Sequence, residues 1–372
     1  MIYDICIIGG GLAGLTAAIH LAQKQCCVIV FEKLEYPNHK VCGEYVSNEI
    51  IPYLKSLGIT LPNEVEIKKL QFSTLQGNSI TVELPLGGIG ISRYTFDYLL
   101  YKKALTLNIK FVFEAVTSVN FETDSFRIQT DSGLTFISKT AIGAYGKRAN
   151  IDKYLKRSFI EKKSSWLGVK AHYQLPDFPK NIVALHNFKG GYGGLSKTET
   201  GAVNFCYLVN YKTFKLEKDI ESFNKKIVSQ NPFLKTFLKE AIPIFNQPLS
   251  IAQISFDKKN PVENHILMCG DSAGLIHPLC GNGMAMAIHS AKIASELLFE
   301  YLNASNPDRN FLEKKYQKQW NTTFKYRLWM GRNLQWLLMQ NSLSNFIMKI
   351  VSRSPILLRL LIKQTHGKPI KC

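Results

Sequence analysis

Ile5-Cys6-Ile7-Ile8-Gly9-Gly10-Gly11-Leu12-Ala13-Gly14-Leu15-Thr16-Ala17-Ala18-Ile19-His20-Leu21-Ala22 is the stretch whose reading decides the fold. Taken as one apolar run, it has about the length that spans a bilayer. Three adjacent glycines, however, would weaken a helix by roughly 1 kcal/mol each relative to alanine. The run therefore divides. Ile2 to Ile8 predicts a buried strand, the glycines a turn, and Leu12 to Gln25 a helix.

Cut in this way, Gly9-x-Gly11-x-x-Gly14 stands between a strand and a helix, the arrangement that binds a dinucleotide. Gly9 makes the tight turn, Gly11 lets backbone approach a pyrophosphate, and Gly14 allows close helix–strand packing. The diphosphate is then expected over the helix start, at Leu12 and Ala13. A second strand, Cys27 to Phe31, ends in Glu32, about 20 residues on, where an acid accepts ribose hydroxyls. Lys33 follows it as a further candidate contact. Glu32 would repel a 2′-phosphate, which leaves FAD or NAD as the nucleotide.

The choice between them rests on Leu267-Met268-Cys269-Gly270-Asp271-Ser272-Ala273-Gly274-Leu275-Ile276-His277-Pro278-Leu279-Cys280-Gly281-Asn282-Gly283-Met284. A predicted strand, His265 to Cys269, runs into Gly-Asp, then a loop with a proline, then an apolar helix from about Asn282 to Tyr301. This resembles the flavoprotein superfamily of para-hydroxybenzoate hydroxylase-like monooxygenases and geranylgeranyl reductases. The resemblance implies FAD, with Gly270 and Asp271 at its ribityl chain and the Pro278-x-x-Gly281-x-Gly283 loop beside the isoalloxazine. The physics agrees. Reduced flavin carries negative charge near N1 and O2, and the amides of Gly281, Asn282, Gly283 and Met284 at a helix start favour such charge.

Two further segments extend the resemblance. Ser92-Arg93-Tyr94-Thr95-Phe96-Asp97-Tyr98-Leu99-Leu100 is similar to an Arg-x-x-x-Asp-x-x-Leu stretch whose arginine, here Arg93, lies near FAD. Lys40-Val41-Cys42-Gly43-Glu44 is similar to the Cys-Gly-Glu element of the geranylgeranyl reductase branch, which implies catalytic roles for Cys42 and Glu44. One element departs from the pattern. Tyr145 of Gly143-Ala144-Tyr145-Gly146 replaces the acid of an Asp-Gly motif that in many flavin hydroxylases touches FAD and NADPH.

The expected architecture is α/β. A Rossmann-type FAD-binding domain of the glutathione reductase and para-hydroxybenzoate hydroxylase kind takes residues 1–69, 91–160 and 257–305, and is discontinuous in sequence. A β-rich substrate domain takes 70–90 and 161–256, with strands at Trp166 to Leu175, Ile182 to Phe188 and Ala202 to Val209. Gly190-Gly191-Tyr192-Gly193-Gly194 reads as a turn or a close backbone approach, and Phe214 to Glu240 as helical. Residues 306–372 form a basic, amphipathic helical tail.

Charge is concentrated in that tail. The chain has 46 Lys+Arg against 28 Asp+Glu, a formal +18 over 372 residues, and its 46% hydrophobic content is that of a globular protein. Thirteen basic and two acidic residues fall between Asn306 and Cys372, a net +11. The tail also carries Trp320, Trp329, Trp336 and many leucines and isoleucines. No uncharged run in it approaches bilayer length. Two readings stand: peripheral contact with an anionic membrane, or packing over the substrate domain with a solvated basic face. Nucleic acid is not expected, since no recognised module accompanies the charge. The eight cysteines include no C-x-x-C, so no metal site is indicated, and a reducing cytoplasm is the economical location.

Function follows by resemblance. Reduced FAD would deliver hydride to a double bond of an isoprenoid or lipid-like hydrophobic small molecule; the alternative is oxygen-dependent hydroxylation of a phenolic substrate. A flavin-binding protein without turnover is the non-enzymatic alternative. His277 is a candidate to handle a proton in either reaction. With one dinucleotide fingerprint, electrons would come from NAD(P)H bound transiently or from another carrier.

Overall fold

The computed structural model describes residues 1–62, 65–217, 219–339, 364 and 367–371. Two sheets organise the chain. The first runs in the order Val262–Glu263, Ile266–Met268, Thr135–Gly143, Ile2–Ile8, Val28–Phe31, Lys110–Val112, with the strands Val116–Glu122 and Ser125–Thr130 added beside Thr135–Gly143. Ile2–Ile8 is parallel to both neighbours. It is buried from Ile5 to Ile8, as a central strand covered on both faces must be. Helices Leu12–Gln23 and Gly283–Leu302 pack against each other, and the first also meets Arg93–Leu105.

The expected helix end at Gln25 is corrected by two residues. Gln25 itself is left-handed (φ 63°), which stops the helix at Gln23.

The second sheet runs Ile242–Pro243, Trp166–Gln174, Val203–Asn210, Gly191–Lys197, Ile182–Phe188, Glu66–Ser73, Ser79–Gly90, Tyr45–Ser47. It is antiparallel except where Ile182–Phe188 runs parallel to Glu66–Ser73. The expected cut between 69 and 70 falls inside Glu66–Ser73, a strand that pairs in this sheet, and Tyr45–Ser47 also crosses into it. Of the five residues expected to form a turn or a close backbone approach, Gly190 (φ 80°) makes the turn and the other four are strand between two partners, where a Cβ on Gly191 would lie 2.2 Å from the Leu208 carbonyl oxygen. The expected helix from Phe214 to Glu240 is also corrected. It is broken into Ile220–Lys226 and Pro232–Glu240 because Asp219 and Asn231 each cap a fresh start.

Beyond the sheets, the helix Arg309–Met339 lays Leu312, Tyr316, Trp320, Phe324 and Leu328 into the core of the first sheet's layer. This four-residue repeat is one helical stripe. The tail thus packs chiefly on the dinucleotide-fold side, and Leu334 of the same helix also packs against the cluster of Tyr192 and Leu208 of the second sheet, the substrate-domain contact expected of it. Residues 340–363, which carry much of its leucine and isoleucine, lie outside the described residues. Among the described residues no helix is long and apolar enough to cross a membrane.

Candidate active site

The turn after Ile2–Ile8 is shaped by what its glycines lack. Gly9 has φ 104°, and a Cβ there would come within 2.6 Å of Tyr145 Cα. A Cβ on Gly14 would overlap the Gly9 carbonyl. Gly11 is different: its nearest neighbour would be Arg93 Nη2 at 3.5 Å, so its face is open. Gly11 is also the N-cap of Leu12–Gln23, with no side-chain cap and no acid in the first turn. First-turn amides have no partner within their helix, so Leu12 and Ala13 present donors to the cleft they line.

Around this turn Glu32 takes two amide bonds, from Gly10 at 2.9 Å and Leu34 at 3.3 Å. Tyr36 closes the other side, its hydroxyl donating to the Gly10 carbonyl at 2.5 Å. Gly9, Gly14 and Glu32 shape the turn from behind and are not among the residues lining the cleft. Lys33 is exposed and also stands outside it.

Arg93 begins the helix Arg93–Leu105 and turns its guanidinium onto Asp97, with Nε–Oδ1 and Nη2–Oδ2 both 2.7 Å. Lys40 reaches the same carboxylate at 3.0 Å. Burial opposes the Asp97 charge, but Arg93 and Lys40 outweigh it and hold the carboxyl below its usual range. Asp97 is thus a functional partner that sequence reasoning quoted but left unassigned; its i, i+4 spacing from Arg93 was the available signal.

Across the cleft, Gly270 turns at φ 59° and donates to Ser290 Oγ at 2.8 Å. Two buried cations brace the loop from behind. Lys259 Nζ donates to the Asp271 and Lys147 carbonyls at 2.8 and 2.9 Å, and Arg157 donates to the Ser272 carbonyl at 2.9 Å. Burial pulls Lys259 down to about 8. Farther on, Gly281 (φ 60°) and Asn282 lead into Gly283–Leu302, whose first turn has neither a side-chain cap nor an acid. Gly270, Asp271, Pro278, Gly281, Asn282, Gly283 and Met284 all line the same cleft as Gly11 and Arg93.

This donor set fits FAD. One uncapped helix start beside a guanidinium suits a diphosphate, and a second suits the charge of a reduced ring. Comparison with known proteins agrees. Residues 3–154 match the family model described as Pyridine nucleotide-disulphide oxidoreductase. A digeranylgeranylglycerophospholipid reductase of Methanosarcina acetivorans is 24% identical over 343 residues, covering 87% of this chain and 81% of its own. Among solved structures, a geranylgeranyl bacteriochlorophyll reductase-like protein from Thermoplasma acidophilum superposes with a TM-score of 0.73 at 18% identity, covering 97% and 99% of the two chains. Klebsiella pneumoniae HpxO, complexed with FAD and uric acid, gives 0.79 at 14% identity, covering 97% and 96%. The chain is an FAD-dependent oxidoreductase.

In this flavoenzyme the three candidate catalytic residues have different surroundings. Cys42 is half-buried and lines the cleft. Glu44 also lines it, but its carboxylate is engaged by Lys170 Nζ at 2.5 Å, His172 Nε2 at 2.6 Å and the Arg93 amide at 2.8 Å. His39 brings a third ligand-type atom within 4.8 Å of Glu44 and His172. The Lys170 ammonium already neutralises that carboxylate. His277 is not among the cleft-lining residues, although Ile276 and Pro278 on either side of it are. Its ring stacks on Phe256 with centroids 3.6 Å apart, and burial lowers its pKa to about 3. It is therefore neutral at physiological pH. Tyr145 points into the wall, where its hydroxyl accepts from Arg157 at 3.2 Å.

The far end of the enzyme's cleft belongs to the second sheet. Leu70, Leu84, Val183, Leu185 and Leu208 line it, with Ile254 from the following segment. Sequence reasoning named none of these. Alternation along strands gives an apolar face without telling which part of it stays uncovered.

Proposed function

We propose that the enzyme reduces carbon–carbon double bonds of an isoprenoid or other lipid-like small molecule. The observation that carries this reading is the continuity of the cleft, from the flavin motifs at Gly11, Asp271 and Gly281 to the apolar wall of Leu70, Leu84, Val183 and Leu208. The similarity to digeranylgeranylglycerophospholipid reductases supports the same class of substrate.

Bound FAD supplies hydride chemistry. The chain's own residues do the rest. The Leu12 and Ala13 amides with Arg93 would hold the diphosphate, Asp271 the ribityl chain, and the amides from Gly281 to Met284 would face the ring, while Glu32 shapes the turn through the Gly10 and Leu34 amides. Saturating one double bond adds a hydride to one carbon and a proton to the other. Cys42 Sγ, in the cleft between the two ends, is the proposed source of that proton and regains it from solvent. A nicotinamide bound transiently is the proposed source of the electrons. Glu44 acts through Lys170 and His172 as a positioning residue, and His277 supports the loop.

Enzyme reduced with dithionite under anaerobic conditions is expected to add two hydrogens to each double bond of a geranylgeranyl lipid, read by mass spectrometry. Product that forms only when oxygen is admitted, and gains an oxygen atom, overturns this reading in favour of hydroxylation.

A further inference from the structure

The helix Arg309–Met339 has two faces of opposite chemistry. Its packed face carries Leu312, Tyr316, Trp320, Phe324 and Leu328. At 100° per residue, Phe311, Lys314, Lys318, Lys325, Tyr326, Trp329, Arg332 and Trp336 fall together on the opposite side, and all are exposed. Phe311, Tyr326, Trp329 and Trp336 are more than half exposed, and Tyr326 and Trp329 stack on each other. The helix has one acid, Glu313, which faces away and bonds His265. The exposed face, which also carries Thr322 and Asn333, is therefore mainly aromatic and basic, and the helix contributes no acid to it.

Water is a poor partner for Tyr326, Trp329 and Trp336, exposed together within about three turns of one helix. A protein partner would have to match a straight ridge about 38 Å long. An anionic lipid surface matches it without further shape: tryptophan and tyrosine rings sit at the headgroup level, and lysine and arginine meet the lipid phosphates.

The place of the ridge gives it a use. Gly331, on the inner side of the same helix, packs so closely on the loop that an added Cβ would lie 3.2 Å from Cys280 Sγ and 3.6 Å from His277 Cβ. Cys280, Ile276 and Pro278 of that loop line the active-site cleft. One helix thus separates the ridge from the cleft wall.

We propose that this face of Arg309–Met339 docks the enzyme on an anionic membrane surface, next to the cleft. The docking does not depend on whether the substrate is an isoprenoid or a phenol. It supports either by drawing a bilayer-dissolved molecule from the surface on which the enzyme rests.

The test uses the full chain and vesicles without substrate, so its outcome is separate from that of the turnover assay. Co-sedimentation is expected with vesicles of phosphatidylcholine and phosphatidylglycerol at three to one. Binding should fall at least tenfold on pure phosphatidylcholine and at high salt. The double variant Trp329→Ser with Trp336→Ser, and the triple variant Lys318→Gln, Lys325→Gln, Arg332→Gln, should each weaken binding at least tenfold while keeping bound flavin and the thermal midpoint. Absence of binding by the parent protein overturns the proposal. So does equal binding by variants that keep their flavin, and so does a dimer in sedimentation equilibrium that the tryptophan variant dissolves.

Discussion

Glu44 and His172 stand 128 residues apart in the chain and share a 2.6 Å hydrogen bond, with Lys170 closing the other carboxylate oxygen. The bond fastens the Cys42–Glu44 segment to the strand Trp166–Gln174, so one buried carboxylate joins the flavin motifs to the apolar sheet. Glu44 is itself left-handed, at φ 54°, a conformation a non-glycine residue holds only where its surroundings fix it. Burial would raise its pKa, but the bond from His172 and the charges of Lys170 and His172 prevail and lower it.

Glu44→Gln leaves the Lys170 ammonium buried without its counter-charge and is expected to cost about 3–5 kcal/mol. Denaturant titration at pH 7 measures this. A carboxyl depressed in the native state contributes fully above the unfolded pKa of about 4.3. That contribution is lost as pH falls through the native value. The gap between parent and variant should therefore narrow in acid.

The glycines of the first turn should separate folding from cofactor binding. Gly14→Ala forces a methyl into the Gly9 carbonyl, so both stability and flavin content should drop, the former by about 1–3 kcal/mol. Gly11→Ala meets nothing closer than Arg93 Nη2 at 3.5 Å. Its thermal midpoint should stay near that of the parent, while FAD affinity falls because the methyl occupies the diphosphate's approach. Flavin absorbance and thermal melts on the same preparations check both.

Arg93→Lys keeps the charge and gives up the paired bonds to Asp97. The FAD dissociation constant is expected to rise about tenfold, equivalent to about 1.4 kcal/mol. Fluorescence titration of apoprotein measures it. An unchanged constant would remove Arg93 from the cofactor site.

Acid should weaken the enzyme through its buried histidines. Burial lowers His20, His186 and His289 to about 4 and His277 to about 3. The unfolded chain takes up protons near pH 6.5, before these folded sites do. Stability is thus complete above that pH and declines as pH falls from about 6.5 toward 4. His277→Phe removes one such site where the ring already stacks on Phe256. It should flatten the acid limb of the melting profile and leave turnover within about threefold of the parent.

The parts of the fold legible in the sequence are those set by local rules. The strand, glycine turn and helix at Ile2–Gln23, and the Gly-Asp run into Gly283–Leu302, are short-range patterns in which spacing alone carries the geometry. Asp219 and Asn231-Pro232 are equally local cap signals; the helical periodicity across Phe214 to Glu240 masked them. What could not be read are pairings over distance. Nothing in the alternation of Trp166–Gln174 says that Lys170 and His172 turn inward onto Glu44. Nothing local shows that Lys259 gives its charge to two carbonyls behind the Gly-Asp loop. His277 misleads for the same reason: its neighbours in sequence face the cleft while its own ring is held behind it by Phe256, a contact only the fold creates.

The glycines of the second sheet have a consequence for selection. Gly194 and Gly168 both line the apolar end of the cleft, and Gly194 lies directly across from Cys206 in the neighbouring strand. At these two positions, flanked by Leu185 and Ile254, the wall itself has no side-chain rotamer that can swing aside. Clearance at these two points is set by the strands themselves. A side chain added at Gly194 or Gly168 would therefore narrow this end of the cleft while leaving the residues of the flavin motifs as they are.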